Sequence, residues 1–87
     1  MSARVERIRA LLSAALAPVE LEIIDDSHKH AGHAGAAGGA GHFSVRIVAE
    51  AFRGKRSIAC HQLVYSALAE MMGPEIHALS IQAKAPD

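Results

Sequence analysis

The chain has 87 residues, room for one small domain that buries only ~60–65% of the surface its unfolded form exposes. Hydrophobic residues make up 51% and aromatics 3%, so the core must come from Leu, Ile, Val and Ala. A formal net charge of zero excludes a whole-surface attraction to nucleic acid or anionic membrane, the single Cys60 excludes an intramolecular disulfide, and no apolar run approaches the ~20 residues of a membrane span.

The first predicted element is a helix from about Ala3 to Leu16. Val5, Ile8, Leu12, Ala15 and Leu16 follow helical spacing, Ser2 can cap the first turn, and Pro18 stops the helix. Arg4, Arg7 and Arg9 ahead of "ALLSAALAP" give this stretch a loose likeness to a signal peptide, but Glu6 and Ser13 interrupt that pattern. It reads as part of the fold, and the protein as cytoplasmic. "VELEII" then alternates Val19, Leu21 and Ile23 with Glu20 and Glu22, a strand with one wet face. A second strand, "HFSVRIVAE", carries Phe43, Val45, Ile47 and Ala49 on one side.

Between these strands lies "DDSHKHAGHAGAAGGAGHF", residues 25–43, with four of the six histidines. From Ala31 to Gly41 every residue except His33 is Gly or Ala. The strands are expected to pair antiparallel across a flexible Gly/Ala-rich loop at 28–41. Unstructured loops of that length in compact domains are usually functional or disordered.

"FRGKRS" breaks the strand pattern at Gly54. Ser57 can cap a second helix that runs to about Met72, with His61, Val64, Leu68 and Met71 or Met72 inward, before Gly73-Pro74 ends it. "IHALSIQA" is a third strand whose apolar parity, Leu79, Ile81 and Ala83, includes His77. The order α-β-β-α-β predicts one domain over residues 1–87, a two-layer α/β sandwich in which two helices cover one face of a three-stranded sheet.

Five segments, in this order, resemble the BolA family: "DDSHKHAGH", the "GHF" that opens the second strand, "F-x-G", "HQLVYSALAE" and "IHALSIQA". The resemblance spans nearly the whole chain. It implies a KH-like sandwich of the second topological type, without the C-terminal helix of longer members, since the chain stops at Asp87. It also implies a partner. BolA proteins pair with monothiol, CGFS-type glutaredoxins, and the heterodimer holds a [2Fe-2S] cluster in iron–sulfur delivery or iron regulation. By the same resemblance, one cluster ligand is the histidine before the third strand, which maps to His77. The other comes from the loop between the first two strands, here a histidine-bearing loop. It maps to His30, counted from Asp26 and Ser27, with His33 as the alternative because the loop is long. The glutaredoxin thiolate and glutathione would supply sulfur. Histidine ligation on one iron of such a centre is established chemistry, and glycine lets a loop approach a partner closely.

Two other functions compete. The first is a nucleic-acid-binding transcriptional regulator that uses the KH-like fold, with Arg53, Lys55 and Arg56 as a basic turn that contacts DNA. Against it, "GKRS" lacks the second glycine of the "GXXG" clamp and stacking aromatics are nearly absent. Cys60 and Gln62 also stand where the family has arginines in an "R-H-R" run. The second is a loop that binds Zn, Ni or Cu alone through His28, His30 and His33. No nucleophile, base and orienting group can be assembled, so no enzyme is expected. Cys60 and His61, adjacent on a helix, point about 100° apart. The chain is expected to be monomeric when alone.

Overall fold

The computed structural model describes residues 3–27 and 39–87. Its elements are α1 (Ala3–Leu16), β1 (Glu20–Asp25), β2 (Gly41–Val48), one turn of 3-10 helix at Glu50–Phe52, α2 (Ser57–Ala67) and β3 (Ile76–Lys84). The predicted order α-β-β-α-β holds, and the fold is the expected α/β arrangement of two helices and a three-stranded sheet. Ser2 lies outside the described residues.

Helix α1 buries Ile8, Leu12 and Leu16, the i, i+4, i+8 stripe that 3.6-residue periodicity puts on one face. The strand order is β1-β2-β3. Strand β1 runs antiparallel to β2, with Glu20 opposite Val48 and Asp25 opposite Phe43. Strand β3 runs parallel to β2, an arrangement that requires a crossover, and α2 supplies it. The central strand carries the core: Phe43, Val45 and Ile47, with Ala49 just beyond, pack in one cluster with Ile8, Leu12, Val64 and Leu68. Val19 differs from its predicted place, because it precedes β1 and is 64% exposed.

Helix α2 is shorter than its apolar pattern predicts. It ends at Ala67 rather than near Met72. From there the chain tightens into i→i−3 bonds, Ala69 N to Ser66 O and Met71 N to Leu68 O. Those turns still bring Leu68 and Met71 into the core, both 0% exposed. The inward face of α2 is Cys60 and Val64, not His61, which sits half-buried on the flank. Ser57 is the first helical residue and makes no cap; Arg56 takes the N-cap position without a side-chain hydrogen bond. Arg7 of α1 pairs with Glu70, at 2.6 Å, and with Glu75, which ties the first helix to the segment between α2 and β3. Among the described residues, no helix is long and apolar enough to cross a membrane.

Candidate functional site

The "DDS" that closes β1 is a small hydrogen-bonded device. Asp25 Oδ1 accepts from Ser27 N at 2.9 Å, the local turn that short acidic side chains favour. Asp26 Oδ2 accepts from the Ser44 hydroxyl at 2.6 Å. Ser27 Oγ accepts from His42 N at 3.2 Å, and Asp26 N donates to His42 O at 2.8 Å. Both ends of the β1–β2 connection are therefore bolted to each other. Gly41 fits because it has no side chain: a Cβ there would lie 2.5 Å from Ser27 Oγ and 2.8 Å from Phe43 Cε2. Its N donates to Glu75 O at 3.0 Å, which joins the same corner to the approach of β3.

His77 belongs to this corner by an irregularity in the ladder. Gly41 pairs with Ile76 and His42 with Ala78, so His77 is an extra residue without an opposite number. An inserted residue of this kind breaks strand alternation and re-aims a side chain. Ile76, before it, is fully buried, and Leu79, three positions on, again faces the core. His77 itself is exposed rather than on the apolar face that its parity predicts. Its ring meets that of His42, with centroids 5.2 Å apart and planes tilted by 51°. His42 is half-buried, and its Nε2 lies beneath the surface.

His28, His30 and His33 lie outside the described residues. Among the described residues, no group of three or more His, Cys, Asp or Glu side chains is arranged to hold a metal ion. An outward imidazole such as His77 is a suitable donor for iron or zinc. With this one outward imidazole the corner offers part of a coordination shell and needs further donors from the loop or from another molecule. Sequence reasoning missed His42 as a neighbour of His77, since an insertion in a ladder leaves no local mark.

The basic turn lies elsewhere. It follows the C-terminal end of β2, whereas His77 flanks the N-terminal end, about 23 Å away along the strand. Arg53 is engaged there. It pairs with Glu50, Nε to Oε1 at 2.5 Å and Nη2 to Oε2 at 3.0 Å, and donates to Pro86 O at 2.8 Å. The hydrogen bond from Arg53 holds the Glu50 carboxyl below the usual carboxylate range. Lys55 and Arg56 are exposed. Beside this end, Ser57 and His61 of α2 face Ile81 and Lys84 of β3 across an open cleft of about 330 Å³. Cys60 is buried, its Sγ 3.9 Å from the carbonyl oxygens of Phe52 and Lys55, a structural thiol.

The family model for BolA-like protein matches residues 12–87. The chain belongs to the BolA-like family. The BolA domain of SufE1 from Arabidopsis thaliana superposes with a TM-score of 0.87 at 44% identity, covering 99% of this chain and 95% of that one. SufE-like protein 1 of Arabidopsis thaliana, chloroplastic/mitochondrial, is 46% identical over 99% of this chain, which spans 24% of that protein. The DNA-binding transcriptional regulator BolA of Escherichia coli is 41% identical over 87% of this chain and is matched over 70% of its length. This BolA-like chain spans about a quarter to just over half the length of the plant and human curated relatives it matches.

Proposed function

We propose that this BolA-like protein pairs with a monothiol, CGFS-type glutaredoxin and holds a shared [2Fe-2S] cluster as cargo, in iron–sulfur delivery or iron regulation. His77 and His30 are its ligands, with His33 as the alternative to His30, and glutaredoxin and glutathione supply the sulfur. The observation that supports this is the outward His77 beside the bolted base of the β1–β2 loop. His30 is three residues from Ser27, which bounds their Cα separation at ~10–11 Å. Ser27 bonds His42, whose ring touches that of His77. The protein acts as a binding and delivery module, not an enzyme, and one buried thiol suits the reducing cytoplasm.

The test is co-expression with a monothiol glutaredoxin, followed by visible and circular dichroism spectra of the purified pair. A coloured complex is expected whose spectrum changes in His77→Ala and His30→Ala and persists in His33→Ala. An unchanged spectrum in His77→Ala overturns the assignment. Tight zinc binding by the chain alone that survives His77→Ala would favour the independent metal loop instead.

The second reading, a nucleic-acid-binding regulator, is favoured by the DNA-binding regulator among the relatives and by the exposed Lys55 and Arg56. Arg53 serves it less well, since its guanidinium is already held by Glu50 and Pro86.

A further inference from the structure

We propose that His42 is a positioning residue for His77. Its ring is the platform that fixes the direction of the His77 imidazole, and its main chain ties that platform to the base of the β1–β2 loop. The inference rests on the reading of His77 as a ligand and adds what makes that ligand competent.

An exposed side chain on a strand hops between rotamers in picoseconds to nanoseconds unless something holds it. His77 has even less support than an ordinary strand residue, because the ladder gives it no opposite number. The described neighbour that meets its ring is His42. A centroid separation of 5.2 Å with a 51° tilt lies within the range of favourable ring pairs. A ligating imidazole needs such support, since loss of the groups that orient metal ligands weakens binding ~10–100-fold.

The platform is itself fixed. His42 Nε2 is buried, His42 N donates to Ser27 Oγ, and His42 O accepts from Asp26 N. Next to it on the strand, Gly41 leaves no room for a side chain, since a Cβ there would lie 2.5 Å from Ser27 Oγ. The loop base is thus joined to the main chain that carries the His42 ring, beside a second tie through Asp26 and Ser44.

Two variants separate a ring platform from mere filling of space. His42→Phe keeps an aromatic face, whereas His42→Leu fills the volume without one. In the isolated protein, NMR is expected to give a cross-relaxation contact between the His42 and His77 rings and a single His77 χ1 rotamer. His42→Phe should keep that rotamer, and His42→Leu should lose it to averaging. In the glutaredoxin complex, the electron paramagnetic resonance g-values of the reduced cluster should stay put in His42→Phe and shift in His42→Leu. Absence of the ring contact in the unsubstituted protein overturns the proposal without any variant. So does a His77 rotamer that survives His42→Leu, or one that is lost equally in His42→Phe. Failure of the ligand reading has its own signature: g-values unchanged in His77→Ala, whatever the rotamer data say.

Discussion

Ala17 adopts a left-handed backbone, φ 45°, just past the end of α1, where its N donates to Ser13 O at 3.2 Å. Helices commonly stop in this conformation, and glycine is the residue that takes it without strain. A Cβ there costs ~1–2 kcal/mol, while glycine costs ~0.4–1 kcal/mol through the unfolded chain. Ala17→Gly should therefore stabilise the domain by ~0.5–1 kcal/mol and raise Tm by ~2–8 °C. Thermal denaturation followed by circular dichroism checks this, and a lower Tm would mean that the turn carries no strain. The stop itself was legible from Pro18, but not the residue that bears the backbone cost. His77 shows the same limit. Its histidine identity and its place at the start of β3 were evident, but its direction was not. Parity counts residues, and one unpaired residue opposite the Gly41–His42 step reverses the count.

At the level of elements, α2 was misread at one end and for a physical reason. Val64, Leu68 and Met71 keep an apolar stripe whether the backbone is α-helical or tightens into i→i−3 turns, so the pattern runs on past Ala67. The stripe marks burial more faithfully than it marks hydrogen bonding. If so, Leu68 belongs to the core despite lying outside the helix. Leu68→Ala should cost ~2–5 kcal/mol, a large share of the ~5–15 kcal/mol typical of a whole domain. Ile58, within α2 and 69% exposed, should tolerate alanine within ~0.5 kcal/mol. Urea denaturation of both variants measures the contrast, and equal losses would show that burial along α2 is misassigned. The antiparallel β1–β2 pair was legible from two alternating runs. The parallel placement of β3 was not read from the sequence, although the crossover through α2 accounts for it.

For the whole molecule, the arrangement of charge decides between partners. Nine basic and nine acidic side chains cancel, and several of the basic ones are already spent locally. Arg7 lies on Glu70 and Glu75, Arg46 approaches Glu20, and Arg53 lies on Glu50. Of the basic turn, Lys55 and Arg56 remain for a phosphate backbone. Two phosphate contacts give a salt slope of only about −1.8 in log K on duplex DNA, far below the 6–10 contacts of a strong binder. The chain should therefore pass through a heparin column at low salt. Retention that is lost in Lys55→Ala with Arg56→Ala would instead support the nucleic-acid reading. That double variant has a second use, because β2 separates the basic turn from His77 by its full length. Sites at opposite ends of one strand should be independent in a domain with no contact shared between them. On the proposed function, the same double substitution should leave the visible spectrum of a glutaredoxin complex unchanged, whereas His77→Ala should alter it. A spectrum sensitive to Lys55 and Arg56 would mean that the glutaredoxin grips both ends of the sheet, and the cluster would no longer be the work of the His77 corner alone.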